Sequence, residues 1–192
     1  MAYPTLSQLK AYLGVSDATD DTPLTQHLNA AIARMERETG RLFVAASSTV
    51  TYRGRRPFVS RDRRTLNLMR DLVSLTTLTN GDAIVITSTY YELVPFAAPY
   101  HQVRLIQNAP YVFAESGNTG IAVQGNWGYS TSCPNDVFLA IMELADYAYK
   151  LRSTGGTGQV QVTNRGNSLV AADEDIPKSV KAVMQAYRRS RA

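Results

Sequence analysis

Apolar residues recur at helical spacing in two segments near the start of the chain. The first segment begins after Thr5, a candidate N-cap, and stops at Gly14. In the second, Thr22 can cap, Pro23 suits the first helical position, and Gly40 ends the pattern. The pattern predicts two amphipathic helices before residue 41.

Two further helices are predicted near the end of the chain. One opens at Pro134 and reaches about Arg152, and the last runs from about Pro177 to Arg189. Residues 153–175, between them, contain glycine pairs, a short alternating stretch and an acidic run. This composition predicts a flexible arm, because it fits neither a packed core nor a helix.

In residues 48–130 the period of the apolar positions changes to two. Seven segments are typical of strands: TVTYR, LNLM, VSLTTLT, AIVITS, YYELV, VRLI and IAVQGNWGY. Asn80 and Gly81 suit the positive backbone angles of a tight hairpin turn. The sequence therefore predicts an α+β fold in a single domain, residues 1–192. Its body is made of four helices, two N-terminal and two C-terminal, with a small antiparallel β module inserted.

Length and composition are enough for a core, since 44% of the 192 residues are hydrophobic. No run of about 18 apolar residues occurs, and the N-terminus lacks the pattern of a signal peptide. We therefore expect a soluble protein with no membrane partner. One cysteine and two distant histidines predict neither a disulfide nor a metal site.

Catalytic motifs are not apparent in the sequence. Cys133 has no local nucleophile motif around it, and the glycines of TGGTGQ do not follow a strand and open a helix. We predict that the chain is not an enzyme and has no cofactor. A cryptic hydrolase using Cys133 is the least favoured of the function classes considered.

The formal net charge is only +4, but arginines crowd one segment. Clustered arginines contact phosphates without reading sequence, and they also form bidentate pairs with carboxylates. The segment is therefore a candidate for contact with DNA in a tunnel or with acidic residues of a neighbouring subunit, the alternative being simple solvation. Its candidate residues are Arg53, Arg55, Arg56, Arg61, Arg63 and Arg64.

The only tryptophan lies just before the third predicted helix. Trp127 and Tyr129 end the last strand segment, and Pro134 opens the helix a few residues later. Large aromatic side chains bury much area, so we predict a structural joint between the β module and the helices at these three residues.

Several stretches together resemble the head-tail connector proteins of tailed bacteriophages, also called adaptor or head-completion proteins. They are YPTLSQLKAYLGV, LTQHLNAAIARMERETGRLF, LVSLTTLTNGDAIV, YYELVP, VQGNWGYSTSCPNDVFLAIMELADYAYKLR and IPKSVKAVMQAYRR. The likeness spans nearly the whole chain. Its most diagnostic part is the Trp-Gly-Tyr that ends a strand shortly before a proline-opened helix.

The resemblance implies a structural virion protein that forms a ring, commonly of twelve copies, in the neck beneath the portal. The implied partners are other copies of the chain, the portal protein, and a stopper or tail-completion protein, with assembly in the host cytoplasm. Because the family commonly grips the portal with its C-terminal end, Tyr187, Arg188, Arg189 and Arg191 are candidate docking residues. The alternative is a DNA-binding packaging accessory factor that acts through residues 53–64.

Overall fold

The computed structural model describes residues 2–53, 57–114, 120–153 and 176–189, without the side chains of residues 152 and 153. The chain divides into two compact units. The helical unit contains Met1–Gly40 and Cys133–Ala192, and the sheet unit contains Arg41–Ser132. The predicted flexible arm, residues 153–175, lies outside the described residues except for Ser153.

Four helices form the described part of the helical unit. They are α1 (Leu6–Leu13), α2 (Asp21–Thr39), α3 (Asn135–Ser153) and α4 (Lys178–Tyr187). Helix α3 packs against both α2 and α4, and α1 packs against α2. Across the described ranges, no helix has both the length and the apolar character needed to cross a bilayer.

The helix ends follow the predicted signals with one difference. Thr5 caps α1 and forms a reciprocal capping box with Gln8. Gly40 ends α2 in the left-handed conformation, with φ of 67°. Helix α2 starts at Asp21, so the predicted cap Thr22 lies inside the helix, and Pro23 occupies its third position. Proline is tolerated there because the first N–H groups of a helix have no intrahelical acceptor.

The described part of the sheet unit contains six strands. They are β1 (Ala46–Tyr52), β2 (Thr65–Thr79), β3 (Val85–Ile86), β4 (Tyr91–Val94), β5 (Tyr100–Leu105) and β6 (Ile121–Trp127). The strand order is β1-β6-β2-β5-β4, and β3 pairs with one end of β2. Every pairing between these strands is antiparallel.

Strand β2 joins two segments that the sequence pattern kept apart. Its 15 residues pair with β5 from Thr65 to Leu72 and with β6 from Leu72 to Thr79. The register shifts between Asn67 and Leu72, which interrupts the alternation of apolar positions. The charged pair Arg70 and Asp71 therefore marks an irregularity inside one strand and not a boundary between two strands.

The connection after β2 also differs from the predicted tight turn. The loop spans Asn80 to Ile84 and is closed by a hydrogen bond from the Asn80 N–H to the Ile84 carbonyl, at 2.8 Å. Ala83, with φ of 68°, is the left-handed residue, and neither Asn80 nor Gly81 has a positive φ. Asn80 is instead buried, and its side-chain NH₂ donates to the Val112 carbonyl at 3.0 Å. The asparagine is therefore held by a long-range contact that local turn statistics do not contain.

The sheet unit has its own hydrophobic core, and Trp127 belongs to it. The Trp127 side chain is buried, and its indole N–H donates to the Ser48 carbonyl at 3.0 Å, so its polar atom is satisfied. The other fully buried large side chains of this core are Phe113, Leu66, Leu72, Leu78, Ile86 and Val103.

The prediction of a four-helix connector body with a small inserted β module is wrong. The four helices are present, but the fold is a sheet-dominated α+β fold with a six-stranded antiparallel sheet. The physical reason is that β2 runs unbroken for 15 residues and supports partners along its whole length, so the sheet closes a separate core. When each short strand segment of the sequence is considered separately, the size of such a sheet is underestimated.

We expect Trp127→Ala to lower the free energy of unfolding by roughly 3 to 5 kcal/mol, because it removes a buried large aromatic side chain and leaves a cavity. Urea unfolding followed by hydrogen–deuterium exchange of amides in the sheet unit measures the change. Phe96→Ala is the matched control: Phe96 is 102% exposed, so we expect a change of about 0.5 kcal/mol or less. Equal stability of the two variants would contradict the assignment of Trp127 to the core.

Candidate functional site

The arginine segment lies in the connection between β1 and β2. Arg53 follows β1 directly, whereas Arg55 and Arg56 lie outside the described residues. Arg61 and Arg63 have exposed side chains, and Arg63 has a φ of 57° in the left-handed region. The described arginines of this segment, called the basic loop below, therefore lie between two strands of the sheet unit.

The loop is held by backbone and side-chain hydrogen bonds of its own. The Arg63 N–H donates to the Ser60 carbonyl at 3.0 Å, and the Ser60 N–H donates to the Thr65 carbonyl at 2.9 Å. The Asp62 carboxylate accepts from the Ser60 hydroxyl and from the Arg64 N–H. These two bonds, together with the nearby Arg64 charge, lower the pKa of Asp62. Asp62 thus orders the turn that presents Arg61 and Arg63.

Arg64 does not share this exposed position. Its guanidinium donates to the carbonyls of Ile106 and Gln107, the second at 2.8 Å. The backbone carbonyl of Arg64 also accepts from the Leu105 N–H at 2.8 Å. Arg64 therefore ties the basic loop to the end of β5, which is a structural role within the sheet unit. Sequence reasoning grouped it with its neighbours because the number of arginines does not reveal which ones have local acceptors.

The three residues of the predicted joint are found in different units. Trp127 and Tyr129 lie in the sheet unit, and Pro134 lies in the helical unit, where its carbonyl accepts from the Phe138 N–H of α3 at 2.9 Å. The Tyr129 ring packs edge-on against Phe43, with 6.1 Å between the ring centroids. Trp127 and Tyr129 are thus both anchored within the sheet unit. That they also join it to the helices stays a prediction.

Two of the C-terminal candidates, Tyr187 and Arg189, contact other residues of the helical unit. The Tyr187 hydroxyl donates to the Asp136 carboxylate at 3.0 Å, and the Arg189 N–H donates to the Thr39 carbonyl at 2.9 Å. That carbonyl belongs to the last turn of α2, where the helix dipole favours positive charge. The Arg188 side chain is exposed, and Arg191 lies outside the described residues. No local pattern predicts this contact, because Thr39 lies about 150 residues before Arg189 in the sequence.

Sequence reasoning missed a cluster of side chains around the buried Asp71 carboxylate in the sheet unit. The Asp71 carboxylate lies 2.6 Å from an Arg41 guanidinium nitrogen and 3.3 Å from the Nδ1 of His101. Its backbone carbonyl accepts from the Gly128 N–H at 2.8 Å. The Arg41 guanidinium also lies over the Tyr129 ring, 5.1 Å from its centroid. Asp71 thereby connects four separate segments, and no local motif signals such a cluster.

Cys133 is poorly suited to nucleophilic chemistry. The side chain is buried, and this burial raises the pKa of the thiol to about 11. Among the residues that the structure describes, no group of three His, Cys, Asp or Glu side chains could hold a metal ion. The candidate residues Arg61, Arg63 and Arg188 lie on the surface of the described part of the chain.

Solved structures with the same fold come from phage-like particles. The neck of a native gene transfer agent (GTA) particle, computed with C12 symmetry, contains a chain 18% identical to this one. The TM-score is 0.62, and the match covers 97% of this chain and 89% of that chain. The neck of an empty GTA particle, computed with C6 symmetry, gives 19% identity and a TM-score of 0.62 over 100% and 94% of the two chains.

A chain of the virion of the native GTA particle is 18% identical, with a TM-score of 0.63 over 100% of this chain and 94% of that chain. No protein-family model and no curated protein matches this sequence. At these identities the likeness establishes the fold. The resemblance to phage neck proteins inferred from the sequence is thus confirmed at the level of the whole-chain fold.

We expect Asp71→Asn to lower the free energy of unfolding by roughly 3 to 5 kcal/mol, because it leaves Arg41 partly buried without its anionic partner. Chemical unfolding measures the loss. Glu92→Gln is the control, since the Glu92–Arg104 pair is half exposed at 3.3 Å and contributes at most about 1 kcal/mol. If both variants lost the same small amount, the Asp71 cluster would not be a stabilising element.

Proposed function

We propose that the chain is a structural head-tail connector of a phage-like particle, forming a ring in the neck beneath the portal. The observation that carries the proposal is the extent of the structural likeness. The match spans 97% or more of this chain and 89% or more of each neck or virion chain. The match therefore includes both the helices and the sheet. A small domain shared by many proteins would align with only part of the chain.

A ring of twelve copies is the finer part of the proposal. It is supported by the resemblance in the sequence and by the C12 symmetry with which one similar neck was computed. The proposed partners are other copies of the chain, the portal protein above, and a stopper or tail-completion protein below. The proposed location is the virion neck, after assembly in the host cytoplasm.

The experiment that tests this function is reconstitution with the portal ring of the same particle. The purified chain is mixed with portal rings and examined by electron microscopy, with the mass of the assembly measured in parallel. We expect a ring of the 21.1 kDa chain, twelve copies per portal, on one end of the portal. A chain that stays monomeric and does not bind the portal at any ratio would overturn the proposal.

The C-terminal segment is the proposed portal-docking element. Its candidate residues remain Tyr187, Arg188, Arg189 and Arg191, but the backbone contact of Arg189 changes how they are tested. Truncation at Tyr187 would remove the bond from Arg189 to Thr39 and so disturb the helical unit itself. Substitution of the arginine side chains avoids this problem.

We therefore expect Arg188→Glu combined with Arg191→Glu to keep the parent helix content and weaken binding to portal rings at least tenfold. The reason is that arginines at this surface can form bidentate pairs with portal carboxylates. Co-sedimentation measures the binding. Arg37→Glu combined with Lys150→Glu, at exposed cations of α2 and α3, is the matched control because it changes the net charge equally. Unchanged portal binding by the double variant would exclude side-chain docking by these arginines.

The second candidate function, a DNA-binding accessory role, is supported by the exposed positions of Arg61 and Arg63 on the basic loop. Phosphate contacts of this kind depend steeply on salt. We expect Arg61→Ser with Arg63→Ser to keep the fold and to reduce either DNA retention or ring formation at moderate salt. Arg64 is left unchanged, because its loss would release the Ile106–Gln107 carbonyls.

Filter binding to duplex DNA at two salt concentrations and a ring assay separate the two outcomes. Weaker DNA binding with intact rings supports a tunnel contact, and weaker rings with unchanged DNA binding support an intersubunit contact. No change in either assay would show that this loop is only solvated.

A further inference from the structure

The sheet unit has two unlike edges, and one of them lacks the usual protection. Strand β1 pairs with β6 from Ala46 to Tyr52 without a register shift, and it is the last strand on its side of the described sheet. Its sequence, ASSTVTY, has no charged residue and no proline. Natural edge strands usually carry charge, proline or a bulge, because an open edge offers its N–H and C=O groups to another strand.

The exposure of the β1 side chains also indicates an unprotected edge. Ala46, Ser48, Val50 and Tyr52 share a face with the buried side of β6, yet the first two are exposed. Ser47, Thr49 and Thr51, on the other face, are exposed as well. Only Tyr52 and the half-buried Val50 join the core, so the first four residues of β1 form an extended, uncharged edge with exposed side chains on both faces, which offers room for a covering strand.

The opposite edge carries an exposed apolar loop. Strand β4 pairs with β5 from Tyr91 to Val94, and its one charge, Glu92, faces Arg104 across that pair. Pro95, Phe96, Ala97 and Ala98 follow and are all exposed, with Phe96 completely so. A fully exposed phenylalanine in a loop without charge suits an anchor at an interface between proteins.

We propose that a second copy of this chain occupies the β1 edge, and that it does so with its β4 edge and Phe96 loop. The inference rests on the proposed ring. Copies in a closed ring meet through two different patches, one on each side of every subunit. The β1 and β4 edges are two such patches, since each copy carries both of them at opposite ends of one sheet.

The sheet topology also sets the direction of this pairing. Four successive antiparallel pairings separate β1 from β4, so the two edge strands run in the same direction. A neighbour that continues the sheet head to tail therefore places its β4 parallel to β1. Its Phe96 then lies beyond the C-terminal end of that β4 strand, toward the Tyr52 end of β1.

Disulfide trapping between two singly substituted chains tests the contact. Thr49→Cys is made in one chain and Glu92→Cys in the other; both residues lie on the outer face, opposite the exposed Gln124 and Arg104. Ser47→Cys and Thr51→Cys, on the same face, allow for the unknown register. Cys133 stays in place, because it is buried and its thiol pKa is raised to about 11.

We expect covalent dimers when a β1 variant and Glu92→Cys are mixed in rings on the portal, for one of the three β1 positions. A disulfide needs Cα atoms about 4.4 to 6.8 Å apart, so the trapped position also reports the register. Dimers formed by Thr49→Cys alone would mean that β1 meets β1, which overturns the proposal. Intact rings without any trapped pair overturn the edge contact while leaving the connector function standing.

An assembly measurement supplies the second test. Ser47→Lys with Thr49→Lys places charge on the edge, and Gln124→Lys with Asn126→Lys places equal charge on the same face of the neighbouring strand β6. We expect the first pair to reduce ring yield at least tenfold and the second to change it less than twofold. Equal yields overturn the inference, and failure of the parent chain to form rings overturns both it and the proposed function.

Discussion

The Asp71 carboxylate lies at the point where β2 changes partners, and the arrangement of the sheet unit depends on it. Before this residue β2 pairs with β5, and after it β2 pairs with β6, with Leu72 opposite both Tyr100 and Trp127. A buried carboxylate is costly unless it is paired and hydrogen-bonded. Asp71 meets this condition through the Arg41 guanidinium, which donates to its carboxylate at 2.6 Å, with His101 3.3 Å away, and its backbone carbonyl accepts from the Gly128 N–H. The contacts of Asp71 therefore hold Arg41, His101 and Gly128 next to β2, the longest strand.

The sequence predicted the helices well because their signals are local. Capping by Thr5, termination at Gly14 and Gly40, and the opening of α3 just after Pro134 all act within a few residues. The sheet was underestimated because pairing joins residues far apart, and because a register shift breaks the period-two pattern. Arg70 and Asp71 separate two apolar segments of the sequence. In the fold both residues lie inside β2, where Asp71 forms an ion pair with the distant Arg41.

The candidate site was predictable in position and less so in chemistry. The arginine-rich segment was expected in a loop of the β module, and it lies in the connection between β1 and β2, where Asp62 orders the turn. Sequence could not separate Arg64 from Arg63, since only the folded chain brings the Ile106 and Gln107 carbonyls to one of them. The same limit applies at the C-terminus, where Arg189 meets a carbonyl of α2. In the first case the distant acceptors bind the arginine side chain, and in the second the acceptor binds only the backbone.

The burial of the single tryptophan has a practical consequence for following the folding of this chain. Trp127 lies in the core of the sheet unit, and the helical unit contains no tryptophan. Its fluorescence therefore reports on the sheet unit, while the far-ultraviolet circular dichroism signal is dominated by the helices. Coincident denaturation curves from the two signals would identify one cooperative transition, and separated curves would show that each unit melts by itself.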